Sequence, residues 1–275
     1  MPTIQIAIKN SNKTTNKLNM ALSSYPSPVN KLLTYGDCSQ IKEIPDYVGE
    51  LGFTLHHVPD LIRMACDEDL SIGADDIEDT NENLQAWAPV HAVRVLGQLR
   101  AVEAIEPLIY LFGAFEEDDR MSLELPGALA KIGTAAIEPL EAYIVDSSRD
   151  TYQRADAASA LTRIAQIHPE ARSKCVEIIT NLLNNFTIND PEVNAFLVGE
   201  LIDLKALEAA PVIEKAFAAE CVPTFLVGDW DEVQIALGMK ARSESSDQFP
   251  LKQVIEYYTN QDLPEFIDSD DNKII

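Results

Sequence analysis

The chain has 275 residues, of which 45 are acidic and 21 basic, giving a formal charge of -24 at pH 7. That excess repels phosphate backbones and argues against a nucleic-acid partner, and charged partners are expected to be basic. No stretch approaches the roughly 18 apolar residues of a membrane span, so no membrane role is expected.

Residues 1–36 carry four lysines and no acidic residue. They open on the short alternating segment TIQIAI, without the order of a signal peptide. This composition reads as a basic, disordered arm, alternatively one that docks on the acidic body or on a partner. Four cysteines, Cys38, Cys66, Cys175 and Cys221, show no CxxC spacing and are expected as free thiols in a reducing cytoplasm.

Residues 37–240 read as one ordered unit. LGFTLHHVPDLIRMA from Leu51 starts it as a divergent helical pair spanning 37–70. An acidic insertion follows at about 67–86, with eight acidic residues and no Lys or Arg between Asp67 and Glu82, and is expected to be exposed. From Trp87, Ala92, Val93, Leu96 and Leu99 recur at helical spacing, and Glu103–Phe115 forms a return helix with Leu108, Leu111, Phe112 and Phe115 inward. The core of this pair, IEPL at Ile105, repeats at Ile137, an offset of 32 residues. Such a period marks stacked helical pairs that share one continuous core. Pro107 and Pro139 fall in the first turn of the second helices, where a missing N–H costs least, and Gly133 suits a helix C-terminus.

A third, variant pair turns at His168–Pro169, and Asn189-Asp190-Pro191 starts a fourth. VPTFLVGDWDEVQIALGM is expected to close the open core. Residues 241–275 read as a serine-rich linker, a short helix LKQVIEYY and an acidic tail. The predicted fold is all-α, a right-handed α-α superhelix with divergent terminal caps.

The string LGQLRAVEAIEPL resembles the short HEAT-like repeats first associated with phycobilin lyases, over about residues 37–227. GELGFTLHHVPDLIRMACDEDL, WAPVHAVRVLGQLRA and PTFLVGDWDEVQIALG, taken in order, resemble a bacterial domain family of unestablished function, over about Tyr35–Met239. The resemblance implies an armadillo-type helical superhelix and assigns no catalytic residue.

Two surfaces are candidates for binding. Trp87, His91 and Arg94 fall at i, i+4 and i+7, on the side of their helix away from Leu96 and Leu99, as an aromatic and cationic stripe facing Glu124 and Asp156 of later repeats. Glu106, Tyr110, Glu138 and Glu141 lie on the second helices and predict an acidic face with one aromatic anchor; glutamates there also simply favour the helix dipole. His56 and His57 with Asp60 offer a metal only two side-chain types and no third ligand at recognisable spacing, so surface histidines are expected and no metal or cofactor. GxSxG, P-loop and GxGxxG motifs are absent from the chain, and no catalytic residue is predicted.

The functional expectation is a cytoplasmic scaffold or adaptor binding a protein with a basic surface. The alternative is a phycobilin lyase-like or chaperone-like protein. A metal-dependent enzyme built on His56 or His57 ranks last.

Overall fold

A computed structural model describes residues 24–41, 43–71, 84–114 and 119–241. Every regular element among them is helical: α1 (Tyr47–Leu51), α2 (Val58–Ala65), α3 (Glu68–Ser71), α4 (Ala88–Gln98), α5 (Ile105–Tyr110), α6 (Asp119–Ile132), α7 (Ile137–Val145), α8 (Thr151–Ile167), α9 (Arg172–Leu183), α10 (Pro191–Asp203), α11 (Ala210–Ala218), α12 (Thr224–Val227) and α13 (Trp230–Ala236), with short 3-10 turns between. These pack as two rows. Along one, α2, α4, α6, α8, α10 and α12 touch in succession; along the other, α5 packs on α7, α7 on α9, α9 on α11 and α11 on α13.

One local device recurs at the ends of helices. Arg100, Lys205 and Glu220 each adopt positive φ (53°, 50° and 57°). The next amide then reaches back to a carbonyl of the preceding helix: Ala101 to Leu96 at 3.1 Å, Ala206 to Leu201 at 2.9 Å and Cys221 to Ala216 at 3.0 Å. Such a bond satisfies carbonyls that the helix end leaves orphaned. After α4 and α10 a 3-10 turn then leads into the second helix of the pair (Val102–Ala104 before α5, Leu207–Ala209 before α11). Gly133 ends α6 with φ 109° and ψ -158°, a region beyond the left-handed helical one and open only to glycine.

The second-helix prolines fall in first turns as expected, and Asp190 caps α10 by accepting from the Glu192 amide at 2.8 Å, with Pro191 at its first position. Leu108, Leu111 and Phe112 are buried; Phe115 lies outside the described residues.

Two expectations change. Residues 24–36 are not a free arm: Val29, Leu32 and Leu33 of the 3-10 helix Val29–Thr34 are fully buried, and Tyr25 is nearly so. This segment packs on α4 and on the turn Leu84–Trp87, because its apolar residues, hidden in a polar composition, cluster at one end. The flanks of the acidic insertion also pack. Leu70, Gln85 and Ala86 are buried, and the Tyr25 hydroxyl donates to Asp67 at 2.6 Å. TIQIAI, most of the acidic insertion and the linker, helix and tail after Ala241 lie outside the described residues.

Candidate functional site

The Trp87–His91–Arg94 stripe is not a surface. All ten residues from Ala88 to Gly97 are buried, because α4 is covered on one side by α2 and the 24–36 segment and on the other by α6. A helix enclosed all round has no outward stripe. Trp87 remains half-buried, with the Arg120 guanidinium 4.8 Å from its ring centroid.

His91 is fully buried, between one hydrogen-bond acceptor and one donor. Its Nε2 lies 2.8 Å from the Gly36 carbonyl oxygen and its Nδ1 2.7 Å from the Tyr47 hydroxyl. A carbonyl only accepts, so Nε2 carries the proton and Tyr47 donates to Nδ1. The ring is neutral. Burial pushes its pKa down to about 4, against the opposing Gly36 bond and with help from the nearby Arg94 charge.

The Cys38 sulfur sits 3.4 and 3.5 Å from the two ring nitrogens, singling out neither. Both nitrogens already have better partners, and burial raises the Cys38 thiol to about 12. A Cys–His pair primed for nucleophilic attack needs a thiolate and a ring able to take its proton. Neither is present in this arrangement, so the Cys38–His91 contact is packing.

The position of His91 recurs along its row. Fourth from the start of α4, α8 and α10 stand His91, Arg154 and Asn194, the last two also buried. Each binds backbone carbonyls outside its own helix: Arg154 Nε donates to Ile144 at 2.9 Å, and Asn194 Nδ2 to Phe186 and Cys221, both at 2.9 Å. Carbonyls at helix ends and in loops need such donors once buried. His91 is one of three pegs that tie a helix to neighbouring segments.

Arg94 lies one turn on and pairs with Glu124 of α6 through Nη2. The sequence column joining this stripe to Glu124 is therefore a contact between α4 and α6. Its Nε and Nη1 are buried without a hydrogen-bond partner, although the Tyr47 hydroxyl is close enough for its acidity to feel the charge. Sequence reasoning missed Cys38 and Tyr47, which meet His91 across separations of 53 and 44 residues. No local pattern marks such contacts.

The second-helix candidates stand mostly at the surface. Glu106 and Glu138 are exposed, Tyr110 is 66% exposed and Glu141 is half-buried. Glu106 and Tyr110 stand on α5, Glu138 and Glu141 on α7, and these helices pack together.

His56 is exposed. His57 is half-buried, accepts from the Thr54 amide through Nδ1 at 3.0 Å and meets Phe53 edge-on, while Asp60 pairs with Arg63 at 3.0 Å. Among the described residues no three His, Cys, Asp or Glu side chains converge on a metal position, and no helix is long and apolar enough to cross a membrane.

These features define an all-α protein of packed helices, in which buried His91, Arg154 and Asn194 serve backbone carbonyls. The chain belongs to the family described as "Protein of unknown function (DUF1186)", whose profile matches residues 58–261, about three quarters of the chain. Relative to the Tyr35–Met239 span of the sequence resemblance, the match begins later and ends later. No curated protein and no solved structure matches it.

Proposed function

We propose that the protein acts by binding another protein: a cytoplasmic, HEAT-like right-handed superhelix over residues 37–240 that offers an acidic face to a basic partner. The two-row packing and the repeated entry into second helices support the superhelical reading. Four free cysteines, two of them buried, fit a reducing compartment.

The observation that carries the functional reading is the pairing of Glu106 and Glu138. They occupy the same IEPL register on two helices that pack together, both exposed, with exposed Tyr110 one turn beyond Glu106 on its own helix. A large exposed aromatic among carboxylates is the composition of an interaction anchor with a charged surround. The net charge of -24 extends the field that steers a basic partner.

The test uses the full chain as bait in native lysate, beside Glu106→Lys/Glu138→Lys and Tyr110→Ala baits. A cognate partner is retained by wild type at low salt, lost from the reversed bait, and associates more slowly as salt rises past about 0.15 M, where the screening length falls below ~8 Å. Retention unaffected by reversal, by Tyr110→Ala and by salt refutes the acidic-face reading.

A further inference from the structure

A cleft of about 370 Å³ opens where α4, α6 and α8 meet. Its charges run against those of the molecule. The chain has about two acidic residues for each basic one, yet this lining holds Arg94, Lys131 and Arg163 against one carboxylate, Glu124. Glu124 is already engaged by Arg94, whose side chain is only 9% exposed and has two further nitrogens without partners. The field inside is therefore set by Lys131 and Arg163.

These two cations are held together by the helices. Glu124, Gly127 and Lys131 lie on one face of α6 at spacings of three and four residues. A Cβ on Gly127 would stand 3.5 Å from Arg163 Nη1, so the guanidinium of α8 lies over Gly127, one turn from Lys131. Arg163 also faces Glu200 of α10 closely enough to lower its pKa, but forms no ion pair with it. Lys131 has no hydrogen-bond or ion-pair partner among the described residues.

The walls are apolar. Leu123 and Ile167 line the cleft and are 65% and 51% exposed, an unfavourable placement for large aliphatic side chains in water. Apolar walls around a few converging polar groups are the usual make-up of a small-molecule site. A short cationic spot in a strongly acidic molecule suits one charged group and repels a polyanion.

We propose that this cleft binds a small organic anion, a carboxylate or phosphate on an apolar body, with Lys131 and Arg163 on the charge and Leu123 and Ile167 against the body. The inference is independent of the acidic-face reading, which concerns α5 and α7.

Octyl phosphate, kept monomeric, is the probe, titrated into the full chain by calorimetry. Wild type binds it, and K131E/R163E weakens binding by about tenfold or more with an unchanged far-UV spectrum; K131Q/R163Q serves if the reversal unfolds the chain. Octan-1-ol and inorganic phosphate, each with half of the chemistry, bind at least about tenfold more weakly. G127L, which pushes a side chain against Arg163, excludes the probe while keeping every charge. Equal binding by wild type and both charge variants, equal binding of octan-1-ol, or no heat at millimolar probe overturns the proposal. Co-sedimentation with phosphatidylserine vesicles in the absence of monomer binding also overturns it and assigns the cations to a membrane surface.

Discussion

Acid should act on this protein through His91. In the folded state the ring stays neutral to about pH 4, whereas its ordinary value is 6.5. Between these values the unfolded chain binds a proton that the folded chain refuses, so stability falls as pH drops. Lowering the ring's pKa from 6.5 to about 4 is worth about 3.5 kcal/mol in full, of which about 3 kcal/mol is lost between roughly pH 6.5 and 4, where the folded ring is half protonated. The groups around the ring are Tyr35, Tyr47, Cys38, the Gly36 carbonyl, Arg94, Glu124 and Asp37.

Glu200 opposes this trend. Burial raises its carboxyl from 4.5 to about 7, so it favours folding less as pH rises through that window, and the wild-type profile is flatter than His91 alone would make it. The clean measurement is a double difference. His91→Gln keeps an acceptor for Tyr47 and a donor for Gly36 but does not titrate. Denaturant unfolding of wild type and His91→Gln from pH 4 to 7.5 cancels every other group. The stability difference between them should shift toward the variant by about 3 kcal/mol on going from pH 7 to pH 4. A difference independent of pH refutes the buried-neutral assignment.

Three further outcomes are expected. Gly97→Leu should destabilise by about 1–3 kcal/mol through overpacking, since even a Cβ at Gly97 would stand 2.9 Å from the Ala128 Cα; an unchanged or raised denaturant midpoint contradicts that contact. Leu32→Ala should cost about 2–5 kcal/mol, because Leu32 is fully buried, and a melting temperature equal to wild type would return residues 24–36 to the status of a loose arm. Glu200→Gln should stabilise more at pH 8 than at pH 4.5, the raised pKa placing the ionisation penalty above about pH 7; equal effects at both pH values contradict it.

The sequence determined the helical pairs. Apolar spacing, the twice-written IEPL, proline in first turns and the Asp190 cap are short-range signals, fixed by which residues a helix stacks within a turn or two. They located α4, α5, α7, α10 and α11, and marked Glu106, Glu138 and Tyr110 as outward positions, which are exposed. Tertiary structure alone decided what covers each helix. The polar side of α4 read as an open stripe because helical periodicity reports which residues can share a face and carries no information about what a segment some fifty residues away brings to it. Once Tyr47, Cys38 and Gly36 cover that side, His91 and Arg94 must find buried partners, since an unpaired polar group in the interior costs more than any gain from packing around it. The same reasoning applies to the cleft between α4, α6 and α8: Lys131 and Arg163 look like two ordinary solvated charges in the chain, and only the packing of α8 on α6, which lays the Arg163 guanidinium over Gly127, brings both to one cleft.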